Sequence, residues 1–146
     1  MFPKLSERGQ ALLFAAALIG SVAGLYALVL SLQVPPVLAS SVHEVGIKIE
    51  GSGWTITYRP NATSNNTVFG LLLEASRALG FSVRYAVYEI PNGVLVTAIN
   101  GSANGDGGRY WQYWVNGAYG AVSADHRALH DNDGVMWEFT SSQEGG

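Results

Sequence analysis

His126 and His130 stand four residues apart beside Asp125 and Asp131, and on a helix that spacing would present both rings to one metal ion. A polar connection whose histidines face water accounts for the same residues, and no metal site is expected. Asp131-Asn132-Asp133-Gly134 has the composition of a calcium loop. With Gly134 at the invariant glycine, however, Leu129 falls at the first ligand position and Thr140 where a bidentate Glu belongs, so the segment reads as a turn. No serine sits in a G-x-S-x-G elbow, and the three histidines have no evident nucleophile to serve. Cysteine is absent, which removes disulfides, thiolate nucleophiles and Cys-based zinc sites together. The expectation is a protein that is not an enzyme and carries no cofactor.

Recognition chemistry is better represented. Residues 110–119 read Y-W-Q-Y-W-V-N-G-A-Y, five aromatics in ten, with the pair Asn116-Gly117 near the end. Asn and Gly tolerate the positive φ of a type I′ turn, so a strand over residues 111–115 should return at once through residues 118–121. A β-branched residue at position 117 should be costly and Asn116→Gly mild. Period two places Trp111, Tyr113 and Val115 on one face and Tyr110, Gln112 and Trp114 on the other. Only one set can lie under a helix, and the amide of Gln112 marks the second as outward. Tyr110, Gln112, Trp114 and Tyr119 are therefore the candidate ligand-binding residues, flat rings with an amide between them that suit sugar rings, planar ligands or a partner's sheet edge. The alternative is packing against another subunit. Asn-x-Ser/Thr sequons begin at Asn61, Asn65 and Asn100, all in expected loops, and are the glycosylation candidates.

Periodicity supplies the scaffold for these residues. Residues 45–50 alternate as a half-buried strand, Gly51-Ser52-Gly53 turns, and Trp54, Ile56 and Tyr58 alternate as its hairpin partner. Residues 60–66 read as a surface loop. From an N-cap at Asn66 or Thr67, the residues Val68, Leu71, Leu72, Ala75, Ala78 and Leu79 form one helical stripe that Gly80 ends. Phe81, Val83, Tyr85 and Val87 share a face of the next strand, with Ser82 and Arg84 opposite. Pro91-Asn92-Gly93 turns into a β-rich run over residues 94–99. Residues 100–108 form a loop with four glycines, the one expected to move. The last strand carries Val135, Trp137 and Phe139, and residues 141–146 are an expected frayed tail. The order is α+β, and one helix covers one face of one sheet.

Hydrophobic residues make up 48% of the chain, ample for one core. Beyond residue 40, six Lys/Arg face ten Asp/Glu, so there is no basic patch to displace counterions from phosphates and no nucleic-acid partner is expected. Residues 11–32 carry no charge and as a helix would reach about 33 Å, enough for the hydrocarbon core of a bilayer. Lys4 and Arg8 precede it and no cation follows until Lys48, which keeps residues 1–10 in the cytoplasm and puts the domain outside. Pro35-Pro36 ends the helix in a linker over residues 33–44. Three fates of this segment remain open: an uncleaved anchor, the plain reading; cleavage after Val37-Leu38-Ala39; and cleavage at Gly9, where Arg8-Gly9-Gln10-Ala11 resembles archaeal class III (pilin-like) signals, though Leu12, Leu13 and Phe14 stand where that family has a glutamate.

From about Thr67 to Phe139, Tyr110-Trp111-Gln112-Tyr113, Val115-Asn116-Gly117, Ser123-Ala124-Asp125 and Asp133-Gly134 resemble the transcobalamin-like C-terminal domain family. That family includes a domain of unknown function on prokaryotic surface proteins and the C-terminal domain of the vitamin B12 carriers. The resemblance implies a ubiquitin-like β-grasp fold over residues 45–140, related to ligand-binding modules. It does not imply a corrinoid, because the carriers hold their ligand between two domains. The combined expectation is a single-pass, membrane-anchored, extracytoplasmic module that binds a ligand, carbohydrate or corrinoid-like, or a protein partner. The alternative is a pilin-like subunit that self-assembles through its apolar helix.

Overall fold

The computed structural model describes residues 6–31 and 40–141, and the chain divides into two units, Met1–Leu38 and Ala39–Gly146. Lys4, Leu32, Pro35, Pro36, Ala39 and residues 142–146, on which the expectations of orientation, helix end, cleavage and fraying rest, lie outside the described residues.

The first unit is one helix, α1 (Glu7–Ser31), starting four residues ahead of the expected position. The reason is Ser6: its hydroxyl accepts from the Gly9 N–H at 3.3 Å and its carbonyl from the Gln10 N–H at 2.9 Å, satisfying donors that a helix start leaves unpaired. Leu12, Phe14, Ile19 and Tyr26 are exposed, and among the described side chains of this unit none is buried. The span Glu7–Leu28 is long and apolar enough to cross a membrane by length and composition.

The second unit is α+β. Its strands are β1 (Val42–His43), β2 (Gly46–Glu50), β3 (Thr55–Tyr58), β4 (Ala62–Thr63), β5 (Val83–Glu89), β6 (Asn92–Ile99), β7 (Ser102–Ala103), β8 (Tyr110–Val115), β9 (Ala118–Tyr119) and β10 (Gly134–Thr140); helix α2 is Val68–Leu79. A five-stranded sheet runs β3-β2-β10-β8-β9, a three-stranded sheet β5-β6-β7, and β1 pairs with β4. β10 lies at the centre of the larger sheet, parallel to β2 and antiparallel to β8.

Alternation sorts the large sheet as expected. Ile47, Ile49, Trp111, Tyr113, Val115, Val135, Trp137 and Phe139 are buried and share one core with Val68, Leu71, Leu72 and Ala75 of α2. Each such aliphatic side chain contributes on the order of 1.5–3 kcal/mol. Thr67 caps α2, its hydroxyl accepting from the Gly70 N–H at 3.0 Å, and Gly80 ends it at φ 75°, a conformation that glycine adopts without strain.

Four expectations are corrected. Residues 60–66 are not a featureless loop: β4 pairs with β1, and Thr63 is buried with its hydroxyl donating to Glu74. The helical stripe stops at Ala75, because the last turn of α2 leaves the core and Leu79 is exposed. Phe81, Val83, Tyr85 and Val87 do not share a face, because the β5–β6 register shifts between Arg84 and Tyr85. A bulge inverts alternation beyond it, so Phe81 is buried while Val87 is 69% exposed. The sheet unit also begins at Val42, a core residue, ahead of the expected start at Val45.

Candidate functional site

The β8–β9 hairpin forms as its sequence dictates. Asn116 at φ 50° and Gly117 at φ 80° supply the two positive angles of a type I′ turn. Asn116 also does something that local sequence does not reveal. Its side-chain oxygen accepts from the Gly134 N–H at 2.8 Å and its amide donates to Asp133 at 2.7 Å, so the hairpin tip is tied to the start of β10. The Asp131–Gly134 region is indeed a turn, in which the Asp133 carboxylate accepts the His130 N–H at 2.8 Å. Burial would raise the Asp133 carboxyl, but these donors outweigh it and hold it below its ordinary value.

Ser123-Ala124-Asp125 is a second clamp. The Ser123 hydroxyl accepts the Val94 N–H at 2.8 Å and shares its one proton between the Asp125 carboxylate and the Val94 carbonyl, the latter at 2.9 Å, fixing the stretch after β9 against β6. A Cβ on Gly93 would stand 2.7 Å from the Ser123 hydroxyl, so glycine is needed for this approach. The carbonyls of Ala124 and Arg127 accept the Phe69 and Val68 N–H groups, satisfying free donors at the first turn of α2. His126 and His130 lie on this connection and not on a helix, beside Asp125 at 3.5 Å and Asp133 at 3.7 Å respectively. Among the described residues no group of three or more His, Cys, Asp or Glu stands where it could hold a metal ion.

On the inner face of β8, Trp111 packs against Phe139 at 5.1 Å and Trp54 at 5.8 Å, and Tyr113 against Trp137 at 5.3 Å. The Tyr113 hydroxyl donates to the Val122 carbonyl at 2.5 Å, and burial pushes its phenol pKa up. The outer face carries the predicted set. Tyr110 is 53% exposed and Tyr119 41%, Gln112 and Trp114 are half-buried, and Trp114 meets Tyr119 edge-on at 5.7 Å.

A cleft of about 670 Å³ opens where the two sheets meet, with Leu95 and Thr97 of β6 on one side and Tyr110 and Gln112 of β8 on the other. It brings together Tyr110, Gln112 and Tyr119; Trp114 does not line it. Its further residues Arg84, Leu95, Thr97 and Asn104 were not expected. Arg84 carried a signal, lying opposite Phe81 and Val83 in the period; the others depend on the meeting of two sheets that periodicity does not describe. Asn104 fixes one end: its amide donates to the Val96 carbonyl at 2.9 Å and its oxygen accepts the Trp111 N–H at 2.8 Å. The glycine-rich residues 100–108 thus contain β7 and a short 3-10 turn. A recess of about 160 Å³ shares Leu95, Trp111, Gln112 and Tyr119 with the cleft and reaches Trp137, whose buried indole N–H has no acceptor among the described residues. A buried donor left unpaired costs about 1–3 kcal/mol.

The sequons differ. Asn61 and Asn100 are exposed, whereas the Asn65 amide donates to the Glu74 carboxylate at 2.6 Å.

Residues 65–141 match a family described as a domain of unknown function, DUF4430. The match falls on the stretch that carries the transcobalamin-like resemblance and bears it out. No curated protein matches. Among solved structures, a candidate metal-binding protein from Ruminococcus gnavus is similar at 17% identity over 68% of this chain and 98% of that one, with a TM-score of 0.54. Haptocorrin in complex with Cbi is similar at 19% identity over 68% of this chain, with a TM-score of 0.49; this chain spans 25% of the haptocorrin chain. The first likeness is one of fold.

Proposed function

The chain belongs to the DUF4430 family, and from that premise and the geometry of the cleft we propose that it is a membrane-anchored, extracytoplasmic ligand-binding module of β-grasp architecture. The parallel pairing of the first long strand, β2, with the last, β10, in a sheet whose core is shared with α2 supports the β-grasp reading. The length and composition of α1 support the anchor. The observation that carries the function is the cleft itself: exposed rings of Tyr110 and Tyr119 converge with Gln112 and Thr97 on a concave space, a few polar groups among apolar walls as in small-ligand sites. The description of the Ruminococcus protein as metal-binding is not carried over, because the described residues offer no ligand group for a metal.

The test is a glycan array and a corrinoid titration of the full-length chain in detergent, beside Tyr110→Ala, Trp114→Ala and Trp111→Ala. Tyr110→Ala should lose on the order of 2 kcal/mol of binding if it is a hot spot and leave stability nearly intact. Trp114→Ala, outside the cleft, should affect binding less and cost about the 0.5–1.5 kcal/mol of its contact with Tyr119. Trp111→Ala should cost ~3–5 kcal/mol of stability as a core truncation. A chain that binds nothing yet assembles into filaments would replace this function with a structural one.

A further inference from the structure

We propose that the cleft takes an acidic saccharide, a ring of the uronic-acid type whose carboxylate pairs with Arg84 while its C–H face lies on the rings of Tyr110 and Tyr119. This rests on the binding-module reading and narrows it. The domain is acidic, with ten Asp/Glu against six Lys/Arg beyond residue 40, yet neither the cleft nor its recess is lined by a carboxylate. The cleft's one charged lining residue is Arg84, exposed and without an ion-pair partner among the described residues. A guanidinium is matched in shape and charge to a carboxylate.

Beside Arg84, the rings of Tyr110 and Tyr119 and the side chain of Thr97 line the same space. A saccharide has C–H faces for the rings and hydroxyls for the polar groups, which an apolar acid lacks.

The experiment is calorimetric titration of the full-length chain in detergent with trigalacturonate and with its fully methyl-esterified counterpart, which keeps the sugar rings and lacks the charge. The acid should bind roughly tenfold or more tightly than the ester, the worth of one charge-assisted pair. Arg84→Gln, at an exposed position, should bring the acid down to the level of the ester. Tyr110→Ala, at an exposed position lining the cleft, should weaken both ligands severalfold without lowering the melting temperature. Equal binding of acid and ester, or an Arg84→Gln chain that still separates them, overturns the acidic assignment and leaves the module reading in place. Binding of neither ligand also overturns it, and the module reading is then decided by the glycan array and corrinoid titration.

Discussion

Asn116 combines two duties in one side chain, and that changes what its removal should do. By turn geometry alone Asn116→Gly is a mild substitution, since glycine adopts a φ of 50° freely. The side chain, however, accepts from Gly134 and donates to Asp133, so glycine loses two bonds between β8 and β10. Asn116→Gly should therefore cost about 1–3 kcal/mol, comparable to the ~1–2 kcal/mol expected for Gly117→Val, which forces a β-branched residue to positive φ. Chemical denaturation of both variants checks this; an Asn116→Gly midpoint equal to that of the parent would mean that the bonds to the β10 turn contribute nothing. The turn was legible because Asn-Gly declares itself locally. The bond to Asp133 was not, because it depends on the register of two strands joined by a long connection. The outward face of β8 was read correctly from one polar residue, Gln112, but which of its aromatics enter the cleft depends on where β6 lies.

At the scale of elements, Glu74 joins α2 to the segment before it. Its carboxylate accepts from Tyr58 at 2.9 Å, from Asn65 at 2.6 Å and from Thr63. Burial would raise this carboxyl, but the bonds from Thr63, Asn65 and Tyr58 outweigh it and hold it below its ordinary value of 4.5. Asp125, with donors in Ser123 and Val94, and Asp133 are likewise held below 3.8 against burial. A carboxyl depressed by folding binds fewer protons folded than unfolded, so stability rises with pH where it titrates. The contribution of Glu74 is fully present above 4.5 and is lost as pH falls through its lower folded value; the aspartates follow below 3.8. The melting temperature should thus hold from neutrality to roughly pH 5 and decline below it, with Glu74→Gln flattening the upper part of the decline. An unchanged acid limb in that variant would remove Glu74 from the account. This clamp was hidden in the sequence because β1 and β4 are two residues each, too short for any period. The α2 stripe and the alternation of β2, β8 and β10 were plain because each spans several repeats of its own period.

Over the whole molecule, the cation distribution decides which side of a membrane the sheet domain would face. Arg8 lies in the first turn of α1, and the next cation beyond Lys4 and Arg8 is Lys48. Charges flanking a span act on orientation when they lie within about 15–20 residues of its ends, and the cation-rich side stays in the cytoplasm. With both cations ahead of the apolar stretch, residues 40–141 should be outside. Protease added to intact cells stripped of any surface layer should then remove an epitope placed after Ser141 and spare one placed at Met1. Digestion of the first tag only after lysis reverses the orientation. The mass of the mature chain separates the three fates of α1. An N-terminus at Met1 keeps the anchor, and one at Ser40 releases a secreted domain. An N-terminus at Gln10 leaves the apolar stretch at the end of the chain without Arg8, and a helix with apolar side chains on all its faces would then be free to pack against copies of itself.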